Sequence, residues 1–123
     1  LNAGKIVICD RFTDSTLVYQ GRNDWALINL IKKLHESAIC IEPDLTLVIN
    51  ADPQKSLKRG LKRASKETRF EMFGLEFQKE AKLRYEALAK KMDRCHIVDG
   101  EHSIQVTHQL LWKIVKDFLR PGF

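Results

Sequence analysis

The residues best suited to chemistry stand near the start of the chain, in the run Asp10-Arg-Phe-Thr-Asp-Ser-Thr-Leu-Val-Tyr-Gln-Gly21. Arg11 is the leading candidate, because a guanidinium fork meets the oxygens of a phosphate in pairs. A salt bridge with Asp10 or Asp14 is the plainer use of the same side chain. Asp10 fits two roles equally: orienting Arg11 or a magnesium-bound water, or serving as an ordinary strand-end carboxylate. Thr16 and Gln20 are one helical turn apart, which puts them on one face of any helix here. A Gln amide both donates and accepts, so it can read the polar edge of a base. Thr16 can instead bond its own backbone, and Gln20 can simply face solvent. Tyr19 fits a nucleoside pocket or a core position, and Ser15 fits a ligand contact or a helix cap.

A second basic set, Arg63, Lys66 and Arg69, lies in a polar stretch between two apolar-periodic segments. By itself such a stretch is usually a solvated loop. The charge balance is 21 Lys and Arg against 16 Asp and Glu, a net +5. These charges are spread along the chain, with a mild cluster from Lys55 to Arg69. No run is long enough for a nucleic-acid arm, and no basic stripe carries interleaved aromatics. A small phosphorylated ligand accounts for the balance better, with solvated helix faces as the bland alternative. His35, His96, His102 and His108 show no ligand spacing, and neither do Cys9, Cys40 and Cys95, so no metal ligands are assigned. Three scattered cysteines read as reduced thiols in a cytoplasmic protein. No apolar run approaches the length needed to span a bilayer.

These residues need elements to hold them. Lys5-Ile-Val-Ile-Cys-Asp10 is short, apolar and rich in β-branched residues, and predicts a strand buried on both faces that ends at Asp10-Arg11. Asp44 to Ala51 predicts a second such strand, and His96 to Asp99 a weaker third closed by Gly100. Between them, Trp25, Ile28, Ile31, Leu34 and Ala38 keep helical spacing. Asp52 and Pro53 form a helix start, with Leu57 and Leu61 inward. Phe70, Phe73, Phe77, Ala81, Tyr85, Leu88 and Met92 make one stripe of about six turns. Ile104, Leu111, Ile114, Val115 and Phe118 make another, with Ser103 as a possible cap. Strands alternating with helices predict one α/β domain with a mainly parallel sheet. In such sheets ligands bind beyond the carboxyl ends of the strands, where Asp10-Arg11, Asn50-Asp52 and Asp99-His102 would stand.

The run from Asp10 to Gly21 resembles the signature of bacterial thymidylate kinases: a strand ending in Asp-Arg-aromatic, a Ser/Thr pair, then Ala/Val-Tyr-Gln-Gly. Other segments match in the same order. Pro43-Asp-Leu-Thr-Leu-Val resembles the family's fourth strand, Asp52-Pro53 through Arg63 the approach to its lid, Thr68-Arg-Phe-Glu71 the lid's exit, and His96-Ile-Val-Asp-Gly100 the last strand. The resemblance covers nearly the whole chain. It implies the three-layer P-loop nucleoside-monophosphate-kinase fold, present here in part as strands three to five. The implied activity is phosphoryl transfer from ATP to dTMP, with Mg²⁺ accompanying ATP and a homodimer as the working assembly.

The resemblance also distributes roles. Arg11 binds the dTMP phosphate, with Asp10 beside it. Ser15, Thr16, Tyr19 and Gln20 contact the nucleotide, Gln20 suiting the imide edge of thymine. Arg63, Lys66 and Arg69 belong to the lid, about residues 63–69, and Arg69 has the better positional match for the catalytic arginine. The loop Gly100 to Ser103 borders the adenine. Two departures stand out. The phosphate-binding loop Gly-x-x-x-x-Gly-Lys-Ser/Thr does not occur, and the lid stretch is short with few arginines. Together with the start at Leu1, this leads to the expectation of an incomplete chain that is inactive alone. The family's sheet order, 2-3-1-4-5, also separates the strand at Lys5–Asp10 from that at Asp44–Ala51 by a strand these residues do not supply. A related deoxynucleoside or nucleoside-monophosphate kinase and a non-catalytic dimerising remnant remain as alternative readings.

Overall fold

A parallel pair of strands cannot be closed by a tight turn and needs a long crossover, and here residues 51–94 make that connection. The computed structural model describes residues 1–62 and 73–119. They divide into two compact units, 1–43 and 44–123, the second described as far as residue 119.

In the first unit, helix α1 (Thr13–Gly21) and helix α2 (Trp25–Ala38) pack against each other. Asp14, Val18 and Gly21 form the buried side of α1, at spacings of four and three residues. Gly21 is required there by close approach, since a Cβ would stand 2.9 Å from Ile28 Cγ1. Arg22 and Asn23 then take left-handed backbone to reverse the chain. Asp24 caps α2 by accepting from Leu27 N at 3.1 Å, a bond whose loss typically costs about 1 kcal/mol. At the far end Ile39 N and Cys40 N both donate to His35 O, and Cys40 turns left-handed. The apolar stripe expected on α2 is only partly inward. Ile28 and Ile31 are half-buried, but Trp25 is 71% exposed and Leu34 is also exposed.

The expected strand at Lys5–Asp10 does not form. Residues 5–9 carry no strand pairing and are exposed, Ile8 at 94%. The physical reason is the partner: a β-branched run becomes a strand only when a neighbour takes up its N–H and C=O groups. The described sheet has two strands, and neither pairs with this run. The fold class is therefore α/β with a parallel sheet, with two of the three expected strands.

The second unit runs strand β1 (Thr46–Asn50), helix α3 (Pro53–Lys62), helix α4 (Gly74–Lys91), strand β2 (Cys95–Asp99) and helix α5 (Ile104–Leu119). β1 and β2 pair in parallel, Thr46 opposite Cys95 and Asn50 opposite Asp99. α4 and α5 pack on β2, and α3 packs on α4. Phe77, Ala81, Cys95 and Val98 supply the buried apolar core. Phe77 and Ala81 are the inward turn of the α4 stripe, and the Phe77 ring lies 4.9 Å from that of exposed Phe73. β1 is half-buried rather than covered on both faces, with Ile49 exposed. Both expected caps form: Asp52 Oδ1 accepts from Lys55 N at 2.9 Å with Pro53 as the first helical residue, and Ser103 Oγ accepts from Val106 N at 3.3 Å. All three cysteines are free thiols, with Cys95 buried.

Gly100 extends the ladder past β2 by donating to Asn50 O at 2.8 Å. A Cβ there would meet Ile49 Cγ2 at 2.7 Å and Asn50 O at 3.1 Å. The backbone oxygen cannot swing away, so Gly100→Ala should destabilise the intact protein by about 1–3 kcal/mol. Urea unfolding measures this, and a midpoint equal to wild type would show that the strand ends relax freely.

Candidate active site

In the first unit, the segment entering α1 holds the main candidates. Arg11 has φ 62, in the left-handed region, where a side chain with a Cβ is strained. This turn carries the chain into α1, whose N-cap is Phe12 with no side-chain cap bond. Ser15 is therefore inside the helix rather than its cap, and is half-buried. The Arg11 guanidinium carbon stands 4.8 Å from the centre of the Tyr19 ring, within cation–π range. The Phe12 ring meets His35 of α2 edge-on at 5.9 Å, which fixes the helix start against its neighbour. Asp14 is buried in the first turn, where the helix N-terminus favours negative charge.

Thr16 and Gln20 are both exposed on α1, one turn apart, while Val18 faces inward. Tyr19 is half-buried, and Ser15 and Thr16 are its neighbours one turn earlier on the helix. The structure thus brings Arg11 and Tyr19 together beside the side of α1 that carries Ser15 and Thr16. Asp10 is exposed, in irregular backbone rather than at a strand end. The lid candidates Arg63, Lys66 and Arg69 lie outside the described residues.

In the second unit, the carboxyl ends of β1 and β2 lie side by side because the strands are parallel. Glu101 joins the segments that follow them. Its Oε1 accepts from the backbone N–H of Asp52 at 2.6 Å, and its Oε2 pairs with Lys55 Nζ. The loop after β2 is further shaped by Asp99, which accepts from Glu101 N at 2.9 Å and lies 3.3 Å from His102 Nε2. On the other side Asn50 donates to Glu86 of α4 at 3.3 Å. The sequence places Asn50–Asp52 and Asp99–His102 at strand ends, Glu101 in the loop Gly100 to Ser103 and Lys55 at the edge of a mild basic cluster, but does not pair Lys55 with Glu101. No spacing rule relates these two residues. The one signal relating them is that each follows a predicted strand end.

The described residues do not on their own fit a resident metal: no group of three or more His, Cys, Asp or Glu is poised to hold one. Among the described residues no helix is long and apolar enough to cross a membrane.

A family model described as "Thymidylate kinase" matches residues 1–111. Among curated proteins, the chain is 52% identical over 101 residues to a thymidylate kinase of Jannaschia sp. (strain CCS1), covering 81% of this chain and 49% of the relative. It is 50% identical over 101 residues to that of Dinoroseobacter shibae, with the same coverage. The thymidylate kinase of Solidesulfovibrio magneticus aligns over 97% of this chain and 61% of its own length at 35% identity. The chain spans about half the length of the first two relatives.

The Glu101 junction has a defined pH behaviour. Hydrogen bonding from the Asp52 N–H, then from Lys55, holds the Glu101 carboxyl below its ordinary value of 4.5. The hydrogen bond to Glu101 raises Lys55 above 10.5. A lowered acid stabilises the fold above its ordinary value and loses that contribution as pH falls through the lowered one. A raised base contributes below 10.5 and loses it as pH rises through its raised value. Glu101→Gln should flatten both slopes. Carbon NMR titration of the Glu101 carboxyl reads this directly, and a midpoint at or above 4.5 would mean that the junction is open in solution.

Proposed function

Because the chain belongs to the thymidylate kinase family, we propose that the intact protein transfers a phosphoryl group from ATP to dTMP, giving dTDP. The observation that carries the reading is the arrangement of the segment from Asp10 to Gly21. A guanidinium is held at the entrance to α1 while Thr16 and Gln20 share an exposed face of the same helix. Arg11 receives the acceptor phosphate, and its fork orients the oxygens for in-line attack. Gln20 and Thr16 read the thymine edge, and Ser15 and Tyr19 line the nucleoside pocket. Asp10 orients Arg11 or a water beside it.

On the donor side the lid brings Arg63, Lys66 and Arg69 to ATP, with Arg69 on the transferring group. The loop Gly100 to Ser103 borders the adenine, held by Glu101 against the start of α3. Such transfers need positioning and positive charge more than covalent help. Magnesium enters with ATP as part of the substrate, and no step assigned to these residues runs through it. The intact fold is the three-layer P-loop kinase fold as a single domain, with sheet order 2-3-1-4-5. Its setting is the cytoplasm, its partners are the two nucleotides and a second copy of the chain, and neither nucleic acid nor membrane is expected.

Two outcomes test this. With ATP and Mg²⁺ the intact protein should prefer dTMP to dCMP and dGMP, and Gln20→Leu should raise KM for dTMP more than for ATP. The lost base contact corresponds to about 1–3 kcal/mol. Comparable turnover of every monophosphate, or an equal rise in both KM values, would defeat the assignment. Residues 1–123 alone contain no Gly-x-x-x-x-Gly-Lys-Ser/Thr loop to cradle phosphates. Expressed by themselves they should neither bind ATP tightly nor turn over dTMP, and a cooperative, active monomer of this length would contradict the role given to that loop.

A further inference from the structure

We propose that Tyr19 is a positioning residue for Arg11: the face of its ring fixes where the guanidinium stands to meet the phosphate of the bound nucleotide. This rests on the reading of Arg11 as the group that receives that phosphate. Three features carry it. The guanidinium carbon lies 4.8 Å from the ring centre, inside the range at which a cation is drawn to an aromatic face. The left-handed backbone at Arg11 is an uncommon conformation that sets the direction from which the side chain reaches a ring about two helical turns along α1. Tyr19 itself is half-buried on a helix whose other side, Asp14, Val18 and Gly21, is packed away, so the ring is held in place beside the exposed Arg11.

The physical consequence is pre-ordering. A long exposed Arg side chain samples many rotamers, and fixing it on binding is entropically costly. A ring that already holds the head group removes part of that cost before the nucleotide arrives. The ring face does this, and the hydroxyl is not needed for it. The role therefore differs from that of a wall of the nucleoside pocket, which would serve phosphorylated and unphosphorylated ligand alike.

The experiment compares dissociation constants for dTMP and thymidine, by calorimetry on the intact protein, for wild type, Tyr19→Phe, Tyr19→Leu and Arg11→Lys. The ratio of the thymidine constant to the dTMP constant isolates the phosphate contribution. Loss of a pocket wall weakens both ligands and leaves the ratio; loss of positioning lowers the ratio. In Tyr19→Phe the ratio should stay within about twofold of wild type, and in Tyr19→Leu it should fall about fivefold or more. Replacing Tyr19 by phenylalanines of increasing fluorination, which drain the ring face with little change of shape, should lower the ratio step by step. This series keeps the test sharp where the Leu variant folds poorly. A Leu variant with the wild-type ratio, or a flat fluorine series, overturns the positioning role. If Arg11→Lys lowers the ratio in that case, Arg11 still meets the phosphate and only the part given to Tyr19 fails. A wild-type ratio near one removes the phosphate role of Arg11 itself, and the inference with it.

Discussion

Parallel pairing of β1 with β2 is the constraint on which the second unit depends. With Thr46 opposite Cys95 and Asn50 opposite Asp99, both strands run the same way and their carboxyl ends emerge together. The chain must then return along the outside of the sheet, and α3 and α4 lie on that return path. The same geometry brings Glu101 to Asp52 and Lys55, which lie 49 and 46 residues before it in the sequence. Gly100 is the tightest point of this arrangement, because its missing Cβ is what lets the two strand ends close. Surface ion pairs add little stability on their own. The junction at Glu101 therefore matters for placing the loop after β2 beside the start of α3 more than for holding the fold together.

The parts of the molecule legible in the sequence are those whose signals are local. The caps at Asp52 and Ser103, the first-turn Pro53, the inward turn Phe77–Ala81 and the shared face of Thr16 and Gln20 all follow from spacing or turn chemistry, and all are present. What failed depends on partners. The run Ile6–Val7–Ile8 has the composition of a buried strand, but composition cannot supply a ladder neighbour, and it lies exposed. Trp25 and Leu34 fit the helical period of α2, yet period alone does not say which side of a helix finds a surface to cover it. The left-handed backbone of Arg11 and its contact with Tyr19 were invisible for another reason. Nothing in the local residue types demands φ > 0 at an arginine, since Gly, Asn and Asp are the residues that signal it.

Arg11 is the point at which the first unit departs from what local preference would choose. A non-glycine residue in the left-handed region costs about 1–3 kcal/mol. The contact with Tyr19, at an exposed position, returns about 0.5–1 kcal/mol and does not offset the strain by itself. The structure on either side of the turn also holds it in place. Phe12 is set against His35, and the first turns of α1 are anchored by buried Thr13, Asp14 and Val18, so the helix start is fixed independently of residue 11. A glycine there would adopt the same backbone without strain but would carry no guanidinium. Packing that would tolerate a relaxed glycine instead holds a strained arginine, with its charged head parked on a ring. That arrangement makes sense where the position of the charge, rather than the stability of the turn, is what the site requires.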